Sequence, residues 1–245
     1  MKNIFSKSFY WQPSRDTLVA FIAGIVMIVL SIAMGATNSI PWISIFIRDI
    51  GQICLGILFP LLYIRRHDND LASFGFSFKK WYVFFPINLV LGILLLMLFL
   101  SDVPPPVGFR LNIPVLWAST FIMLAVIFEL IFFYGFLRTL FERAFGIVPG
   151  IFLCAVFYSL HHAGFQPEFG KLFVVGLTFG VIYRIGNSIL LLYPFLAGVG
   201  ATYDVLIQSK KVAPILYPEI RTIYLTVLIL AIVIWTWFKS RPIRQ

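Results

Sequence analysis

The chain has 245 residues, of which 60% are hydrophobic, 18% aromatic and 12% charged, and its formal net charge is +9. Soluble domains carry about 25% charged residues, so the composition excludes an ordinary soluble domain and describes an integral membrane protein. The positive charge calls for no nucleic acid, because basic inner loops facing anionic lipid account for it.

A hydrocarbon core about 30 Å thick takes about 20 apolar residues to cross as a helix. In chain order, spans are expected at Thr17–Ala36, Trp42–Ile64, Trp81–Leu100, Pro114–Leu137, Pro149–His161, Leu172–Ile185, Ser188–Leu206 and Ile223–Phe238. The expected fold is therefore all-α, a polytopic membrane protein of about eight transmembrane helices forming one domain over residues 1–245. The first run is too long for a signal-peptide core and has no Ala-x-Ala pattern at its end, so it is expected to be a permanent helix. An N-terminus in the cytoplasm places 13 Lys and Arg residues on the inner side and 6 on or near the outer boundary. That asymmetry obeys the positive-inside rule and puts both termini in the cytoplasm.

Cys54 and Cys154, the only cysteines, fall inside apolar spans, where a thiol behaves as a small buried hydrophobe. The C-terminal Arg-Pro-Ile-Arg-Gln has no Cys-a-a-X box, so prenylation of this chain is not expected.

An ionisable side chain at mid-bilayer is costly and is read as functional by default. Asp49, Glu129 and Asp204 lie within apolar spans. Arg48 and Asp49 are adjacent near the outer end of the second span and are read as interfacial or locally paired. Glu129, in "AVIFELIFFYGFLR", is nine residues from the nearest charge on its own helix, Arg138, or ~13 Å of helix, too far to snorkel. It is either a structural carboxyl that locks helices together or a proton-transfer group beside something that reacts. In "FYSLHHAG", Phe157 and His161 are four apart and share one helix face, whereas His162 points about 100° away. The fourth and fifth spans are joined through "FERAFGIVPG" and are expected to form a hairpin turning near Gly146–Pro149. Counted from that turn, Glu129 and His161 differ in depth by about one helical turn, ~5 Å, which leaves room for a water between them. On the seventh span, "PFLAGVGATYDVL" sets Pro194, Gly198 and Gly200 before Tyr203 and Asp204. The small residues serve either close helix packing or a thinned helix beside a cavity walled by Asp204.

Taken together, "ELIFFYGFL", "FYSLH" and "GATYD" resemble the three motifs of the CAAX-protease and bacteriocin-processing (CPBP or Abi) family of intramembrane proteases: Glu-Glu-x-x-x-Arg, Phe-x-x-x-His and His-x-x-x-Asn/Asp. The resemblance covers a core of about 114–206. Glu129 stands at the first glutamate, Phe157 and His161 match the second motif, and Asp204 takes the Asn/Asp position. Leu130 replaces the second glutamate, Tyr134 the arginine, and Gly200 the third-motif histidine. The resemblance implies an intramembrane polar cavity in which Glu129 activates a water and His161 assists. Asp204, Tyr134, Phe157, Tyr203 and His162 would line or support that cavity, with Tyr134, His162 or Tyr203 available to replace the missing histidine. It further implies a peptide or protein substrate, prenylated in some members, and a prokaryotic plasma membrane. No cofactor is called for: without His-Glu-x-x-His, a divalent metal would have only Glu129, His161 and the distant Asp204. The competing readings are a non-catalytic immunity or scaffold protein that binds peptides or partner helices, and a proton-coupled transporter using Glu129 and His161 as a relay.

Overall fold

Ser14 opens the first helix, α1 (Arg15–Ala36), in an extended conformation, its backbone N–H donating to Thr17 Oγ1 at 3.0 Å. Asp16 in the first turn favours the positive end of the helix dipole. The 22 residues of α1 span ~33 Å, enough for the apolar core of a bilayer. The computed structural model describes residues 7–37, 39–67, 70–102, 112–162, 167–197 and 215–239, and these contain helices and no strand.

Helix α2 (Pro41–His67) has two π-helical stretches, Ile47–Gln52 and Cys54–Leu58, and ends on Arg65, Arg66 and His67. Asp70 then accepts a hydrogen bond from the Ala72 backbone at 3.0 Å and starts a 3₁₀ turn, Leu71–Phe74, closed by Gly75 at φ 89°. Helices α3 (Trp81–Asp102), α4 (Ile113–Phe145), α5 (Ile147–His161) and α6 (Phe169–Gly186) follow, then α7 (189–197) and α8 (Pro218–Lys239). A helix is thus present within each of the eight expected segments, the part of the seventh from 198 to 206 lying outside the described residues. Five of them, α1, α2, α4, 81–98 of α3 and 218–235 of α8, are long and apolar enough to cross a membrane, while α5 is a shorter apolar helix. The protein is an all-helical integral membrane protein.

The fourth helix runs eight residues past its expected end at Leu137, because Arg138 is not a solvated inner-loop residue. It is 2% exposed, its Nη1 lies 2.7 Å from Glu142 Oε2, and its guanidinium sits 3.8 Å from the Tyr183 ring centre. Arg184 reaches the same Glu142 oxygen at 3.2 Å. A buried arginine held by a carboxylate and an aromatic face does not need to leave the protein, so the helix continues. It stops at Gly146, whose φ of 94° is open to glycine and strained for other residues. The hairpin turn is therefore this one residue, and Pro149 lies in the first turn of α5.

The chain divides into two compact units. The first comprises Met1–Lys80 and Phe128–Leu192. Within it α5 packs against α1, α6 and the C-terminal part of α4, and the π-helical stretch Leu130–Leu137 of α4 packs against α1, α2 and α5. All eight residues of that stretch are buried, as expected of a helix that is apolar all round. The second unit comprises Trp81–Ile127 and Tyr193–Gln245. There Arg221 lies over the Phe121 ring at 4.4 Å, Thr222 donates to Trp117 O at 3.3 Å, and Tyr193 donates to Met123 O at 3.0 Å.

Candidate functional site

Glu129 is the last residue of regular α-helix in α4 before the π-helical stretch begins. A π turn inserts an extra residue into the helix and recurs at functional sites. Here it shifts the register of the apolar residues after Glu129 relative to those before it. His161 ends α5, and the Gly146 hairpin brings it back to the depth of Glu129. Glu129 Oε1 and His161 Nε2 are 4.0 Å apart, and both side chains are buried. That separation is too long for a direct hydrogen bond. It matches what one water spans from off the line at about 2.8 Å from each atom.

The surroundings of the pair are aromatic. The His161 ring meets Phe128 and Phe133, with centroids 5.4 and 5.2 Å away. Its other nitrogen, Nδ1, lies 2.6 Å from Ser31 Oγ on α1, and Gln52 Nε2 on α2 donates to the same hydroxyl at 2.9 Å. Ser31 Oγ also contacts Met27 O at 3.0 Å. Ser31 and Gln52 are 1% and 2% exposed, so a polar chain from α2 through α1 to α5 runs within the apolar interior of the first unit. Neither residue was singled out from the sequence. A serine at mid-span and a glutamine in "RDIGQICLG" are unremarkable until the helices pack, although a glutamine inside an apolar run was a signal available to be read.

The remaining expected site residues are placed differently from one another. Phe157 shares the α1-facing side of α5 with His161, but its ring stacks on Phe141 at 5.6 Å and meets Phe21 edge-on at 5.9 Å. His162 lies on a different face of α5 from Phe157, yet stays beside the pair: its ring packs on Tyr158 at 4.7 Å and edge-on to the His161 ring at 5.0 Å, with Nδ1 2.9 Å from Tyr158 O. Tyr134 is wholly buried between Tyr158 and Phe179, and its hydroxyl has no hydrogen-bond partner among the described residues. Asp49 is 3% exposed, so it is buried in the first unit rather than snorkelled to an interface. Tyr203 and Asp204, with Gly198 and Gly200, lie outside the described residues.

Among the described residues no group of three His, Cys, Asp or Glu side chains comes together in a way that would hold a metal ion. Glu129 Oε1 and His161 Nε2 thus lie 4.0 Å apart with Phe128 and Phe133 against the His161 ring, a separation that one water could bridge.

Residues 111–197 match the model of a family described as type II CAAX prenyl endopeptidase Rce1-like. Comparison with curated proteins and with solved structures found no match. The matched segment contains the first two motifs, Glu129 to Tyr134 and Phe157 to His161, and stops short of Gly200 and Asp204. The chain is thus a membrane protein whose residues 111–197 are similar to the type II CAAX prenyl endopeptidase Rce1-like family.

Proposed function

We propose that the protein is an intramembrane endopeptidase in which Glu129 is the general base and His161 its partner in holding the attacking water. The observation that carries this reading is the 4.0 Å separation of Glu129 Oε1 and His161 Nε2 in a buried, aromatic-walled site, with both residues inside the family-matched segment. The water oxygen would bond to the scissile carbonyl carbon as its proton passes to Glu129. Collapse of the tetrahedral adduct would break the C–N bond, with that proton delivered to the departing nitrogen. Water exclusion by Phe128 and Phe133 strengthens the electrostatics of each transfer. The substrate would be a peptide or protein that enters from the bilayer, prenylated peptides being the first to try on the strength of the family match. Asp204, Tyr203 and His162 are the candidates to wall the substrate cavity.

One observation favours a non-catalytic scaffold instead. Tyr134, at the position of the motif arginine, is sealed in the core with a hydroxyl that has no hydrogen-bond partner among the described residues. The two readings divide on proteolysis in reconstituted vesicles, using panels of prenylated and unprenylated peptides with wild type and Glu129→Gln. Turnover that this isosteric change abolishes selects the peptidase. A wild type that binds peptides and cleaves none selects the scaffold.

A further inference from the structure

The groups that orient His161 lie outside the matched segment and outside all three motifs. Ser31 Oγ has three polar neighbours: Met27 O at 3.0 Å, Gln52 Nε2 at 2.9 Å and His161 Nδ1 at 2.6 Å. A serine hydroxyl has one proton to give and two lone pairs to accept with. Met27 O can only accept and the Gln52 amide nitrogen can only donate. If the hydroxyl donates to Met27 O, it accepts from Gln52 and from a protonated Nδ1, and all three contacts are satisfied. If it donates to Nδ1 instead, the hydroxyl oxygen faces the Met27 carbonyl with no proton between them. Met27 O already accepts the Ser31 backbone N–H within α1, so the choice rests on the two oxygens themselves: at 3.0 Å they repel without a proton between them, and with Ser31, Gln52 and His161 1%, 2% and 7% exposed little water screens that repulsion.

We propose, resting on the peptidase reading for its catalytic meaning, that Ser31 and Gln52 are positioning residues that fix His161 as the tautomer with its proton on Nδ1 and a lone pair on Nε2 toward Glu129. The consequence reaches the water. With Nε2 and the Glu129 carboxylate both acting as acceptors across 4.0 Å, a water between them gives one hydrogen to each, and its lone pairs point out of the pair toward the substrate. The opposite tautomer would direct an N–H into the gap, occupy the water's lone pair and blunt it as a nucleophile. A helix pair distant in sequence, α1 and α2, thereby supports a site whose motif residues lie on α4 and α5.

The test reads the tautomer directly. The chain has three histidines, so ¹⁵N-histidine labelling of the full-length protein in detergent gives few ring signals, and those of His161 are identified by their loss in His161→Asn. The ring ¹⁵N shifts and N–H couplings should show His161 neutral with its proton on Nδ1. Ser31→Ala should move that proton to Nε2 or leave it exchanging between the two nitrogens, Ser31→Thr should keep the wild-type pattern, and Gln52→Leu should weaken the preference. A wild-type His161 with its proton on Nε2 or on both nitrogens, or a pattern that Ser31→Ala leaves intact, overturns the assignment. If Ser31→Ala does not fold, the wild type and Gln52→Leu decide. With a peptide that the wild type cleaves, Ser31→Ala should lower kcat about tenfold or more with KM nearly unchanged, and Ser31→Thr should restore it. A wild type that cleaves nothing while His161 keeps its Nδ1 proton sinks the peptidase reading and leaves the positioning assignment standing.

Discussion

Gly24 of α1 and Phe157 of α5 occupy one space: a Cβ at position 24 would lie 2.5 Å from Phe157 Cε1. The glycine lets the two helices approach closely enough for Ser31, two turns further along α1, to reach His161, one turn further along α5. Gly24→Ala should therefore destabilise the protein by about 1–3 kcal/mol through overpacking, and Gly24→Leu should do more. The check is thermal unfolding in detergent. A Gly24→Leu protein as stable as wild type would show that α1 and α5 are not held this closely.

Glu129 and His161 should behave as a unit. In a peptide-cleavage assay, Glu129→Gln and His161→Ala should each abolish turnover, and the double variant should be no worse than either, since residues acting on one water are non-additive. His162→Ala should be mild, because its ring packs on Tyr158 and its Nδ1 meets the Tyr158 carbonyl. A lethal His162→Ala beside a silent His161→Ala would place the site on the other face of α5.

The buried Arg138 depends on Glu142. Glu142→Leu leaves an arginine that is 2% exposed without its carboxylate and should cost about 3–5 kcal/mol. Arg138→Met combined with Glu142→Leu removes both charges and should recover much of that loss, although Arg184, which also reaches Glu142, then loses a partner of its own. Unfolding of the two single variants and the double variant gives the coupling. Additive losses would mean that the pair does not act together.

Tyr134→Phe removes a fully buried hydroxyl that has no hydrogen-bond partner among the described residues. The variant should be about 1 kcal/mol more stable, the lower end of what an unsatisfied polar group costs, with peptide turnover unchanged. A fall in turnover without a change in melting temperature would instead give the hydroxyl a part in the chemistry.

Both termini are expected to face the cytoplasm from the distribution of Lys and Arg along the chain. Reporter fusions at each end measure this. A C-terminal phosphatase fusion active on the outer side, together with an inside N-terminus, would mean an odd number of crossings.

Helix existence, membrane residence and the candidacy of Glu129 and His161 were legible along the chain, because each follows from local quantities: the length of an apolar run, the register of a helix face, and the cost of a charge far from any interface. The full extent of α4 was not, since Arg138 reads as a loop cation until Glu142 and the Tyr183 ring are seen to neutralise and cover it. Whether Asp49 is interfacial or locally paired was left open for the same reason, because its burial depends on what packs around α2. Ser31 and Gln52 show the limit most clearly. They are 21 residues apart, and 130 residues separate Ser31 from His161. No periodicity links them, and only the packing of α1 against α2 and α5 makes one hydroxyl the meeting point of a glutamine, a carbonyl and a histidine. The residue types at the site were determined by the sequence, whereas the direction in which His161 presents its lone pair is decided by tertiary contacts, because a hydrogen-bond partner chooses the tautomer and that partner comes from another helix.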